Sequence, residues 1–279
     1  LMHALVVTVP AGAAEVAADA LWSLGVVAVE ERAIEAATGT LELWTSLGDD
    51  EQGVRAALAH WPAEWPWRFE HVDDEVVNTW RQFAKPVFVE PDLVVHPAWL
   101  SVDPAVVGSA HVLLIEPGST FGMGDHPTTQ LTMRAMRRAL AELPHGTARV
   151  LDVGCGSGVL AVAASSFGAA EVEAIDIAPA SVPTTLANAE RNGVGGAVTV
   201  SNTSLADVEG TFHVVLANIL APTLIELAPH LQRVVAPGGV LVISGVLAGR
   251  HDHVEAALAR FHQPHIDELD GWAAVTLRD

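Results

Sequence analysis

The sequence predicts an α/β chain: a doubly wound, Rossmann-like parallel sheet preceded by a small ferredoxin-like α+β domain. Three observations carry that prediction. From Arg149 onward, short apolar strands alternate with stretches of helical apolar spacing, the pattern of a parallel sheet covered on both faces. The first of these strands, Arg149–Val153, runs directly into glycines at alternate positions, Gly154, Gly156 and Gly158, and then into an apolar helix carrying Val159, Leu160, Val162, Ala163 and Phe167. Ahead of them, residues 1–73 read as β-α-β-β-α-β, the ferredoxin-like order.

In chain order, His3–Val9 alternates as a strand, and Ala13–Leu24 has Val16, Ala20, Leu21 and Leu24 at helical spacing, closed by Gly25. Val26–Glu30 and Thr40–Thr45 are strands around Gly39. Asp49–Trp61 is a helix with Val54, Leu58 and Trp61 inward, and Trp65–Val72 a strand. Residues 74–102 read as a connector with one short strand, Asp92–His96; its aromatics, at irregular spacing, read as packing anchors.

Residues 103–279 form the second domain. A strand, His111–Ile115, leads to a glycine-rich loop, Glu116–Thr129, which reads as a lid or second wall for a ligand. Pro127 falls at a first helical position behind the capping candidates Asp125 and His126. The helix runs to Leu143 with Met133, Met136, Leu140 and Leu143 on its buried face. Further strands are Glu171–Asp176, Ala197–Ser201, His213–Asn218, Val240–Ser244 and Ala273–Leu277, with a turn at Pro237-Gly238-Gly239. Pro183 predicts a late start for the helix after Asp176.

Composition bounds the function. The 279 residues are 50% apolar and carry a net charge of −20, with Lys85 the only lysine. Such a balance disfavours nucleic acid as a direct substrate and is compatible with a basic protein partner. No apolar run is long enough for a membrane span and no signal-like segment opens the chain, so the expectation is a cytoplasmic protein with no membrane contact. The single cysteine, Cys155, reads as a small residue within the glycine turn. The histidine groupings His251-Asp252-His253 and His262/His265 lack recognised ligand spacings, so no metal is expected.

The glycine turn makes a cradle, because the backbone can approach a ligand where no Cβ intrudes and helix N-terminal amides point toward it. Its spacing is G-x-G-x-G, not the G-x-G-x-x-G of dinucleotide sites. Asp176 ends the next strand about twenty residues on, placed to accept hydrogen bonds from ribose hydroxyls. Together they indicate an adenosine-containing cofactor, S-adenosylmethionine in preference to NAD. Asn218 ends another strand at the same edge, where an amide can accept from an incoming amine and aim its lone pair at a methyl carbon; a mere strand cap is the alternative. Methyl transfer from a sulfonium is an in-line displacement that needs proximity and alignment above all.

Five segments also resemble a known family: Phe121-Gly122-Met123-Gly124-Asp125-His126-Pro127-Thr128-Thr129, Asp152-Val153-Gly154-Cys155-Gly156-Ser157-Gly158, Asn188-Ala189-Glu190-Arg191-Asn192-Gly193-Val194, Asn218-Ile219-Leu220-Ala221 and Ser244-Gly245-Val246-Leu247. The chain is similar to the bacterial ribosomal protein L-eleven methyltransferase (PrmA) family over essentially its whole length. The resemblance implies a class I methyltransferase fold and N-methylation of a large-subunit ribosomal protein at its α-amine and lysine side chains, with the N-terminal domain holding the substrate. It also implies that Thr129 closes over the cofactor, Gly154 approaches its methionine portion, Asp176 binds the ribose, Asn218 lies by cofactor and amine, and Phe121 and His126 supply further walls. Gly156 belongs to the same cofactor turn. The chain departs from the family pattern at Met123, Asp125 and Ala178. Two other readings stand beside this one: methylation of another protein or a small amine, and a non-catalytic binding module on the same scaffold.

Overall fold

Strands that alternate apolar and polar residues must cover one face, and strands apolar throughout must cover both. Both patterns occur among the three sheets of the described residues. The computed structural model describes the chain except residues 1, 23, 25, 27–28, 35–38, 47–50, 59–60, 73–80, 82–83 and 119. It divides into two compact units, Leu1–Ala84 and Lys85–Asp279.

The first unit comprises β1 (Met2–Pro10), α1 (Ala14–Trp22), β2 (Val29–Ala33), β3 (Thr40–Ser46), α2 (Glu51–Ala57) and β4 (Trp67–Val72). Its sheet order is β2-β3-β1-β4 with every neighbour antiparallel, the ferredoxin-like arrangement expected from the element order. Leu5, Val7 and Val9 of β1 pack with Ala17 and Leu21 of α1 and with Val54 of α2. Strand β2 begins at Val29 rather than Val26, and α2 spans less than the expected Asp49–Trp61. Gly25 and Asp49, expected as helix boundaries, lie outside the described residues, as do Trp80 and Phe83 of the connector.

The second unit opens with β5 (Val87–Glu90), β6 (Leu93–Pro97), the short α3 (Pro104–Val107) and β7 (His111–Ile115). These strands form a separate sheet in the order β5-β6-β7, so residues 85–102, expected within the connector, belong to this unit. Then follow α4 (Pro127–Ala141), β8 (Arg149–Val153), α5 (Val159–Ser166), β9 (Glu171–Ile175), α6 (Ser181–Arg191), β10 (Val198–Ser201), β11 (Phe212–Asn218), α7 (Ala221–Val234), β12 (Val235–Leu247), α8 (Asp252–Ala257), β13 (His262–Leu269) and β14 (Trp272–Arg278). The order of the main sheet is β10-β9-β8-β11-β12-β14-β13, parallel except for β14, which is antiparallel to both neighbours.

Successive residues of each central strand feed opposite faces. Val150, Val172 and Val214 join α4 and α5 in one core, whereas Leu151, Val215 and Leu241 join α7 and α8 in the other. Three sequence expectations need correction. Helix α6 begins at Ser181, with Pro183 in its first turn, where a missing N–H costs nothing. Strand β12 runs from Val235 straight through the expected turn at Pro237-Gly238-Gly239, which becomes an irregularity: Phe212 pairs with Val235 but Val214 with Val240. Strand β13 was not foreseen, because it is a polar edge strand interrupted by Pro264. Among the described residues no helix is long and apolar enough to cross a membrane.

Candidate functional site

The register of the parallel strands builds the site. Val153 pairs with Ile175 of β9 on one side and with Ala217 of β11 on the other. The next residue of each strand, Gly154, Asp176 and Asn218, therefore stands side by side at the carboxyl edge, one interstrand spacing of about 4.8 Å from its neighbour. Chain order reverses between β8 and β11, so this is the switch point at which doubly wound sheets bind ligands.

Glycine is required in the turn that follows. Gly154 has φ +75° and Gly156 φ +53°, in the left-handed region. A Cβ on Gly154 would lie 2.5 Å from Ile219 Cγ2, and one on Gly156 would lie 2.5 Å from the Phe121 carbonyl oxygen. The thiol of Cys155 is buried, and burial followed by the nearby Asp152 pushes its pKa up, away from nucleophilic use.

Asp176 is held in place by backbone. Its Oδ2 accepts from the Gly156 N–H at 2.8 Å and its Oδ1 from the Ala178 N–H at 2.9 Å. Asn202 Nδ2 donates to the Asp176 and Ala178 carbonyls at 2.8 and 3.1 Å. Each carboxylate oxygen keeps accepting capacity for a further donor. Ile177, beside it, is 91% exposed, an apolar face that the sequence analysis did not single out. Asp152 was also missed. It is fully buried beneath the turn, where Oδ2 accepts from the Ala161 N–H at 3.1 Å and Oδ1 has no partner. Burial, with a smaller push from Asp176, raises its pKa to about 7.

The loop from Glu116 to Pro127 forms the opposing wall. Ser157 N–H donates to the Phe121 carbonyl at 2.9 Å and Ser157 Oγ to the Gly122 carbonyl at 2.6 Å. His126 is the N-cap of α4, its Nδ1 accepting from the Thr128 N–H, and Pro127 occupies the first helical position as expected. Burial lowers the His126 pKa against the opposing charge of Asp125, keeping the imidazole neutral at neutral pH. Its ring packs edge-on against Phe121 at 5.8 Å and against Trp272 at 4.9 Å. Trp272 reaches the site through the β13–β14 hairpin, whose two-residue turn Asp270-Gly271, both at positive φ, is a local hairpin signal that the sequence analysis passed over.

Thr129 is buried in the first turn of α4, and its Oγ1 accepts from Asn218 Nδ2 at 3.3 Å. Asn218 Oδ1 makes no hydrogen bond among the described residues and so can accept one. The structure thus brings together Phe121, His126, Thr129, Gly154, Gly156, Asp176 and Asn218 at one rim. Asp125 is exposed beside them. Such a rim can hold a nucleoside by its ribose, present an apolar face to its base, and direct a hydrogen-bond acceptor at an amine.

Comparison with known proteins gives the family. The sequence profile of the family described as ribosomal protein L11 methyltransferase (PrmA) matches residues 26–279. The ribosomal protein L11 methyltransferase of Citrifermentans bemidjiense is 42% identical over 208 residues, covering 74% of this chain and 67% of its own. That of Bordetella parapertussis is 43% identical over 234 residues, covering 80% and 72%. The crystal structure of ribosomal protein L11 methylase from Lactobacillus delbrueckii subsp. bulgaricus matches with a TM-score of 0.63 at 32% identity, over 70% of this chain and 98% of that one. On these grounds the chain belongs to the ribosomal protein L11 methyltransferase (PrmA) family.

Proposed function

We propose that the chain methylates ribosomal protein L11 at its α-amine and lysine side chains, using S-adenosylmethionine as the methyl donor. The observation that carries this reading is the alignment of Gly154, Asp176 and Asn218 on three adjacent strands, with Asn218 tied to Thr129. The residues present fit the cofactor. Gly154 and Gly156 offer backbone bare of Cβ, the Asp176 carboxylate has capacity left for two hydroxyls, and Ile177 offers an apolar face to a base. When bound, S-adenosylmethionine supplies a methyl group on a positively charged sulfur, already activated for displacement.

The chain's own residues supply alignment. Asn218 Oδ1 accepts one N–H of an uncharged amine and so orients the nitrogen lone pair. The Thr129 hydroxyl, accepting from Asn218 Nδ2, fixes which way the amide faces. Neutral His126 and the Phe121 ring flank the amine without adding a cation that would oppose the approach. Residues 1–73 hold the protein substrate, and the segment after them leads into the catalytic unit that opens at Lys85. The net charge of −20 favours a basic partner and disfavours nucleic acid as the group modified. The reaction is placed in the cytoplasm, where ribosomal proteins are made.

The test is mass spectrometry of purified L11 after incubation with the chain and S-adenosylmethionine. Mass gains in whole methyl steps, mapping to the α-amine and lysines, are expected. Unmodified L11 in the presence of chain that binds the cofactor would refute the substrate assignment.

A further inference from the structure

Helix α6 buries polar side chains where its position against the sheet calls for apolar ones. Ser181, Thr185 and Asn188, at helical spacing, are at most 1% exposed. Thr185 Oγ1 donates to the Gly156 carbonyl at 3.3 Å, and its side chain fills the space that a Cβ on Gly158 would need. Asn188 does more. Its Nδ2 donates to the Ser157 carbonyl at 2.8 Å and to the Glu116 carbonyl at 2.9 Å. Its Oδ1 accepts from the Glu116 N–H at 3.0 Å and from the Arg191 guanidinium. Both N–H groups and both lone pairs of the amide are used. One buried side chain joins helix α6, the glycine turn after β8 and the loop after β7.

Asn192, one helical turn on, provides a contrast. Its Oδ1 and Nδ2 pair with the N–H and carbonyl of Leu114, each at 2.8 Å, and Nδ2 also donates to the Asn188 carbonyl. Strand β7 is the edge of its sheet, and Leu114 and Glu116 point their backbone groups the same way. The two asparagines therefore stand in for a missing neighbouring strand. Only Asn188 reaches the glycine turn as well.

We infer that Asn188 is a positioning residue which, together with Ser157, ties the loop bearing Phe121 and leading into His126 and Thr129 at the start of α4 to the glycine turn and so sets the width of the cofactor cleft. The inference rests on the reading that this cleft holds S-adenosylmethionine. Loss of the tether loosens cofactor binding more than turnover, since Asn188 touches neither Asn218 nor the amine position.

The test compares the full chain with Asn188→Ala, Asn192→Ala and Ser157→Ala, by calorimetry with S-adenosylmethionine and by steady-state kinetics. Asn188→Ala is expected to raise the cofactor Kd about tenfold or more with kcat at saturating cofactor within about threefold, while Asn192→Ala stays within about twofold in Kd. A Kd unchanged in Asn188→Ala, or raised equally in both asparagine variants, overturns the inference. If Asn188→Ala does not fold, the milder Ser157→Ala decides: a comparable rise in Kd supports the tether and an unchanged Kd overturns it. Hydrogen exchange at the Ser157 amide, which donates to the Phe121 carbonyl across the tether, needs no ligand. Faster exchange in Asn188→Ala than in Asn192→Ala supports the tether and equal exchange overturns it. Should the parent chain bind no cofactor, the assigned function fails, and hydrogen exchange still judges the tether.

Discussion

Asp152 offers a measurable consequence of building a nucleoside cradle over a buried carboxyl. Its strand neighbours in register are Ala174 and Leu216, both apolar and buried, and among the described residues no cation acts on it. One oxygen accepts a backbone N–H and the other has no partner, so the ionised form has lost water and gained little. Its pKa rises from the ordinary 3.8 to about 7. Below about pH 4 the group is protonated in both folded and unfolded chains and contributes nothing to pH dependence. As pH rises through the window between the two values, only the unfolded chain ionises, and stability falls by about 1.4 kcal/mol per pH unit. Above about pH 7 both states are ionised and the loss, about 4 kcal/mol in all, is complete. Asp152→Asn keeps the shape and cannot ionise. It leaves one further N–H without an acceptor, a constant cost of about 1 kcal/mol at every pH. Urea unfolding of both chains at about pH 5 and about pH 8 should show the variant slightly stronger at the lower pH and much stronger at the higher, a swing of about 3 kcal/mol. An equal difference at both pH values would mean that Asp152 is ionised in the fold and that the argument from burial is wrong.

Two further substitutions probe the turn and the amide. Gly156→Ala places a Cβ 2.5 Å from the Phe121 carbonyl at φ +53°, so the loop must shift. A loss of about 2–3 kcal/mol, read as a melting temperature lower by about 2–4 °C per kcal/mol, is expected, and an unaltered melting curve would show that the turn has room. Asn218→Ala removes the side-chain amide at the rim proposed to accept from the substrate nitrogen. Turnover should fall about tenfold to a hundredfold in kcat with cofactor Kd within about threefold; a weakened Kd at unchanged kcat would move Asn218 from the amine to the cofactor.

What the sequence revealed follows from how local each signal is. The glycine turn, the Pro127 helix start and the apolar runs of β8, β9 and β11 are written in consecutive residues, and they place Gly154, Asp176 and Asn218 at strand ends without reference to anything distant. Strand β5 (Val87–Glu90) has too few residues for periodicity to speak, and polar β13, carrying Pro264, has no apolar run of its own, although the Asp270-Gly271 turn into β14 was a hairpin signal passed over. Trp272 meets His126 only because that hairpin folds back to the rim. The segment Asn188–Asn192 was visible as a motif, but its purpose was not: an asparagine pair on a helix reads as surface until an edge strand is brought against it.

The same contrast explains why the site is rigidly specified although its residues are far apart in sequence. A parallel strand shifted by one residue would turn its whole apolar set to the other face. Val150 and Asp152 face the core shared with α4 and α5, and Leu151 and Val153 the core shared with α7 and α8. Slipping β9 or β11 by one position would exchange Ala174 for Ile175, or Leu216 for Ala217, in cores already filled. Packing behind the rim therefore fixes which residue emerges at it. Asp176 and Asn218 flank Gly154 because Ile175 and Ala217 have nowhere else to go, and the alignment on which methyl transfer depends is supplied by side chains that never touch the substrate.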